Sequence, residues 1–147
     1  MCCDPMPPNK IDLSAGSVLH VRGFSSRGHP PKDKFVLIIG HKSDSEVLGF
    51  LISSQLVYLE LETHKNEVVK VPHNATAFLR AESIIQCFVL ERLALTSLCE
   101  GFEDGKITNA GKLSAKYLHK IRDVVTDSFL LAQRDIDDAV KVLPKAK

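Results

Sequence analysis

Two dense apolar runs dominate the middle of the chain, Phe35-Val36-Leu37-Ile38-Ile39-Gly40 and Val47-Leu48-Gly49-Phe50-Leu51-Ile52-Ser53-Ser54. Each has the length of a strand, is rich in β-branched and aromatic residues, and is too short to span a membrane. The polar, turn-forming segment His41-Lys42-Ser43-Asp44-Ser45-Glu46 separates them, which predicts a β-hairpin at the centre of a small curled sheet. Apolar runs this continuous, without strict alternation, predict that both faces of the hairpin are covered over part of their length.

The flanking pattern extends this picture in both directions. Met1 to Ser14 carries Pro5, Pro7 and Pro8 with few large apolar residues, and reads as a disordered N-terminal tail ahead of a single domain at 15–147. Val18-Leu19-His20-Val21-Arg22 reads as a first strand, entered through Gly16. Gly23 to Lys34 reads as a polar loop broken by Gly28, Pro30 and Pro31; with Arg22, Arg27, Lys32 and Lys34 it is the clearest local charge bias in the chain. After the central hairpin, Val57 to Leu61 alternates, and Glu67 to Val71 follows across Thr63-His64-Lys65-Asn66, predicting a second hairpin that Pro72 stops. Ala77-Phe78-Leu79 and Ile84 to Leu90 bring the total to about seven short strands.

The period then changes from two to 3.6. From Asn109 to Ser128, Leu113, Tyr117, Ile121, Val124 and Val125 share one face, with Lys112, Lys116, Lys120 and Asp123 opposite and Asn109 as the N-cap. A shorter helix is expected over about 133–143, with Pro144 ending it. The predicted fold class is therefore mainly β with C-terminal helices: a small barrel packed by one long helix, about 109–128, and one short one.

Composition narrows the function without choosing it. A net charge of +1 over 147 residues gives no overall pull toward nucleic acid or anionic lipid, so a basic site must be local. With no Trp and 6% aromatic residues, a broad base-stacking platform is not expected. Cys2 and Cys3 are vicinal, Cys87 and Cys99 sit in apolar surroundings, and no C-x-x-C pair occurs. That spacing suits neither zinc nor a disulfide framework, and predicts a reducing, cytoplasmic setting with Cys87 and Cys99 as small buried residues. No signal peptide or transmembrane run is read in the sequence, and Asn74-Ala75-Thr76 is taken as a chance glycosylation triplet.

Specific catalytic motifs are missing. There is no G-x-S-x-G elbow, Walker loop or G-x-G-x-x-G, and the six histidines have no zinc-ligand spacing, so neither a cofactor nor a metal is expected. Arg80-Ala81-Glu82 stands out instead, because an extended chain would point Arg80 and Glu82 to one face. Such a pair is either a surface ion pair of little energetic worth or a charge donor and proton acceptor held at the mouth of a groove. His20 is a further group able to assist proton transfer, although strand histidines are commonly just accommodated.

The order of these features resembles the PemK/MazF family of toxins from toxin–antitoxin systems. The residues that carry the resemblance are Gly16-Ser17-Val18-Leu19 at the opening, Lys34-Phe35-Val36-Leu37-Ile38-Ile39 after the basic loop, Leu51-Ile52-Ser53-Ser54, Phe78-Leu79-Arg80-Ala81-Glu82, and the amphipathic helix. The resemblance spans about 16–128 and rests on order, since no single motif is specific. It implies an SH3-like barrel, a homodimer, a cognate antitoxin that competes with substrate, and metal-independent cleavage of single-stranded RNA by attack of the ribose 2′-hydroxyl on phosphorus. Carried over by position, Glu82 is the base, Arg80 the acid or phosphate clamp, Lys34 a phosphate-stabilising cation and Ser53 a positioning hydroxyl. Arg22, Arg27, Lys32 and Ser54 are expected to bind substrate. Lys34 stands where the family has arginine, Phe35 where it has proline, and Glu82 where it has aspartate; an ammonium does not reproduce a bidentate guanidinium–phosphate contact.

Two readings from other classes fit the same sequence. One is an SH3-like module that binds peptide or nucleic acid without turnover. The other is a structural protein whose helix 109–128 serves as a partner surface. An enzyme of this kind should gather Arg22, Lys34 and Arg80 in one concavity near Glu82 and Ser53, whereas a binding module should show an apolar groove with dispersed charge.

Overall fold

A computed structural model describes residues 11–24, 32–54, 56–79 and 81–144. Among them, seven strands form one antiparallel sheet: β1 Ser17–Phe24, β2 Lys32–His41, β3 Glu46–Ser53, β4 Val68–Val71, β5 Ser83–Gln86, β6 Glu91–Ala94 and β7 Ile107–Lys112. Three helices accompany them: α1 Leu95–Glu103, α2 Ala115–Thr126 and α3 Gln133–Val142. The strand order is β4-β5-β3-β2-β1-β7, with β6 pairing on β3. The fold is thus mainly β, as the pattern predicts.

The central hairpin is β2–β3, joined across residues 42–45, with Leu37 opposite Phe50 and Phe35 opposite Ile52. Its unbroken apolar sequence has a direct cause: both faces are buried. Leu37, Ile39, Leu48, Phe50 and Ile52 pack with Tyr117, Ile121 and Val125 of α2 and with Ala139 of α3. Val36, Ile38 and Val47 join Leu98 and Cys99 of α1 and Ile107 of β7 on the other face. Two cores flanking one sheet need apolar residues at consecutive strand positions, and β2 supplies them.

Several elements differ from the sequence expectation. Val57 to Leu61, expected as a strand, holds a 3-10 turn over Leu56–Leu59, in which Tyr58 packs on His64 and Phe88 at ring-centroid distances of 5.3 and 4.9 Å. Ala77 to Leu79 is a turn that buries Leu79 and leads into β5. The expected strand 84–90 is split: β5 ends at Gln86, the Cys87 N–H donates to the Glu67 carbonyl at 3.0 Å, and β6 begins at Glu91. The sequence pattern predicts no helix at α1.

The expected long helix is also shorter. Its first residues form β7, which pairs along β1 with Ser17 opposite Lys112 and Leu19 opposite Asn109, so Asn109 is a strand residue and Ser114 occupies the N-cap position. Of the expected apolar face, Tyr117, Ile121 and Val125 are buried in α2, Val124 is half-buried, and Leu113 is buried ahead of the helix. The short helix lies at Gln133–Val142, close to expectation.

Residues 11–14, assigned by sequence to the tail, lie against the sheet. Ile11 is 4% exposed in the second core, and the Asp12 N–H donates to Asn109 Oδ1 at 2.9 Å. Residues 1–10 lie outside the described part. Cys87 is a buried free thiol, whereas Cys99 is buried and disulfide-bonded, which removes one premise of the reducing-compartment expectation. Among the described residues, no helix is long and apolar enough to cross a membrane.

Candidate functional site

The strand ends shared by β1, β2 and β3 open onto a groove of about 670 Å³. Its walls come from His20 on β1, Asp33, Lys34 and Phe35 at the start of β2, Ile52 to Ser54 at the end of β3, and Ala77, Phe78, Leu79, Ala81 and Ser83 at the approach to β5. Sheet register explains why distant residues meet there. His20 is paired with Phe35, and Phe35 with Ile52, so these three form one row across the sheet. Val21 is paired with Lys34 and Ser53 with Ile84; continuing the β2–β3 register by one residue sets Lys34 opposite Ser53. Neighbouring rows point to opposite faces of a pleat, and the groove, lying at the strand ends, is lined from both.

One wall is aromatic. The His20 and Phe35 ring centroids are 5.2 Å apart, and those of Phe35 and Phe78 are 5.0 Å apart, both pairs tilted. Phe78 lies close over Gly111 of β7, where a Cβ would come within 2.9 Å of the ring. The other wall is polar. Ser53 is only 8% exposed, and the buried Ser83 donates its hydroxyl to the Ala81 carbonyl at 3.0 Å.

His20 and Asp33 face each other across the β1–β2 hairpin, with Nε2 to Oδ2 at 4.0 Å. The other Asp33 oxygen accepts the Gly23 N–H at 3.1 Å, which ties this carboxylate to the β1 backbone. The groove therefore holds a cation, an imidazole beside a carboxylate, several hydroxyls and an aromatic wall. That set can hold a phosphodiester, accept or donate a proton and cover the face of a base.

The structure brings together Lys34, Ser53 and Ser54 of the expected site residues, and adds His20 and Asp33. Glu82 is not among the groove residues. Ala81 and Ser83 line it, while the intervening Glu82 binds His73, accepting the backbone N–H at 3.3 Å and meeting Nδ1 at 3.0 Å. Those hydrogen bonds hold the Glu82 carboxyl below its ordinary value, as suits a surface ion pair. Arg22 is likewise engaged elsewhere, its Nη2 donating to the Gly105 carbonyl at 3.1 Å beside β7. Arg80, Arg27 and the side chain of Lys32 lie outside the described residues.

Asp33 lies in the segment that the sequence pattern predicts as a basic loop, and nothing in that pattern marks it as a site residue. The available signal was the hairpin register, because once β1 and β2 are paired, His20 must face Phe35 and have Asp33 within reach. Among the described residues no group of three His, Cys, Asp or Glu side chains is placed to hold a metal ion. No protein-family model matches the chain, and no curated protein matches it.

Proposed function

We propose that the chain is a toxin-like endoribonuclease of the PemK/MazF type, an SH3-like barrel that cleaves single-stranded RNA in the groove without a metal. The observation that carries this reading is the convergence of Lys34 and Ser53, from different strands, on one groove with His20 and Asp33. In the proposed reaction His20, 4.0 Å from Asp33, takes the proton of the ribose 2′-hydroxyl as its oxygen attacks the adjacent phosphorus. Lys34 balances charge on the phosphoryl oxygens, Ser53 donates a hydrogen bond to one of them, and the 5′-oxygen leaves with a proton. Arg80, which the resemblance makes the acid or phosphate clamp, is assigned the donor of that proton. Glu82, bound to His73, is given no part in the chemistry. A homodimer, a cognate antitoxin and a cytoplasmic setting belong to the same proposal.

The test is digestion of a long single-stranded RNA in EDTA, with analysis of the new ends. Fragments ending in 2′,3′-cyclic phosphate, and no cut at a position carrying a 2′-deoxyribose, are expected. Fragments bearing 5′-phosphates would show water-driven hydrolysis and contradict the proposed step.

A second reading, RNA binding without turnover, is favoured by the position of Glu82, since the carboxylate that the resemblance makes the base faces away. It predicts intact RNA retained in the groove and displaced by substitution of Lys34.

A further inference from the structure

A second groove of about 670 Å³ lies against the C-terminal part of α2 and is lined by Glu62, Glu67, Asp123, Asp127, Phe129 and Leu130, among others. Phe129 is 95% exposed and Leu130 41% exposed, in a chain that otherwise keeps its phenylalanines covered or half covered among the described residues. This display is enforced by the interior. The buried carboxylate of Glu67 accepts the Phe129 N–H at 2.9 Å and the Ser128 hydroxyl, and the Ser128 Oγ in turn accepts the N–H groups of Leu130 and Leu131 at 3.2 and 3.1 Å. Leu131 is buried in the first core, so the backbone is pinned on both sides of the outward-pointing ring. A solvent-facing phenylalanine costs apolar exposure, and here its backbone is fixed by a buried acid.

The charge around the ring selects the occupant. Four of the lining residues are acidic and none is cationic. Lys65 bridges Glu62 at 3.1 Å, but among the described residues no ion pair involves the exposed Asp123 or Asp127. A two-fold pairing of this patch with itself would set carboxylates against carboxylates, and single-stranded nucleic acid is repelled for the same reason. We propose that this groove docks a cationic polypeptide segment of a partner protein, one whose apolar side chains cover Phe129 and Leu130 while its arginines or lysines meet Asp123 and Asp127. The proposal does not rest on the RNA-cleaving reading, because it uses none of those residues.

The experiment is fluorescence anisotropy of a labelled short peptide of alternating arginine and leucine, titrated with the full chain. Two control peptides carry glutamate in place of arginine and serine in place of leucine. The arginine–leucine peptide is expected to bind about tenfold or more tightly than either control, and to weaken by about tenfold in Phe129→Ser and in Asp123→Asn/Asp127→Asn. Glu103→Gln, at an exposed acidic residue away from the groove, should leave binding unchanged. Equal affinity for the glutamate peptide, no binding by any peptide, binding that survives Phe129→Ser, or binding lost in Lys34→Ala would each overturn the proposal. So would sedimentation showing a dimer that Phe129→Ser dissolves, because the occupant would then be a second copy.

Discussion

At the scale of single residues, the burial of Glu67 is the clearest case of a polar group with a structural duty. It is 3% exposed and receives the Ser128 hydroxyl and the Phe129 N–H. Glu67→Ala leaves those donors near a void, and is expected to cost about 2 kcal/mol, measured as a lowered urea midpoint. Phe129→Ser, which removes only an exposed ring, should leave the midpoint within about 0.5 kcal/mol of the parent. The Glu82 contact with His73 is fully at the surface, so its loss should alter acid stability little. Its value here is positional, because it fixes which way Glu82 faces.

At the scale of elements, α3 is held to the sheet by charge and by close packing. Arg92 Nη2 on β6 donates to Asp135 Oδ1 at 2.6 Å and to Asp138 Oδ2 at 2.7 Å, with Nη1 3.6 Å from Glu46 Oε1. Arg92→Met would leave half-buried carboxylates facing one another, for a cost of about 2 kcal/mol in thermal or urea unfolding. The hydrogen bond from Arg92 holds the Asp138 carboxyl below its ordinary value of 3.8. A lowered folded-state value means that the clamp contributes fully above the ordinary value and is lost as pH falls through the lowered one. Parent and Arg92→Met stability curves should therefore converge in acid and separate toward neutrality; a gap that widened in acid would contradict this. The apolar part of the joint is Gly40 of β2, where a Cβ would sit 2.7 Å from Val142 Cβ. Gly40→Ala is expected to cost about 1–3 kcal/mol by pushing α3 off the sheet.

These elements also show what a sequence makes legible. The β2–β3 hairpin was readable because burial on both faces writes an apolar run, and the faces of α2 and α3 because a packed helix writes a 3.6-residue period. β7 was not readable. Ile107–Lys112 has only one buried residue and a remainder of polar or small residues, and it is a strand because β1 offers it an unpaired edge. A five-residue alternation such as Val57 to Leu61 fits a strand and a tight 3-10 turn equally, and the Tyr58–Phe88 contact chose the turn. The same limit applies to the site. Order along the chain singles out Lys34, Ser53 and Ser54, which line one groove, but the direction of Glu82 depends on how β5 is entered, which no local pattern records.

At the scale of the whole molecule, one sheet carries two surfaces of different character. The groove at the ends of β1, β2 and β3 combines Lys34, imidazole, hydroxyls and rings, and the groove beside α2 combines carboxylates with an exposed phenylalanine. A phosphodiester is the ligand proposed for the first and a cationic segment the one proposed for the second, so the two proposals use separate surfaces. The central claim is that the chemistry lies with Lys34 and His20 rather than with Glu82. The measurement that tests it most directly is the rate of RNA cleavage in EDTA for Lys34→Ala, His20→Gln and Glu82→Gln beside the parent. The account predicts losses of about 100-fold or more for the first two and a rate within about threefold of the parent for Glu82→Gln. Full activity in Lys34→Ala and His20→Gln, with loss in Glu82→Gln, would contradict it.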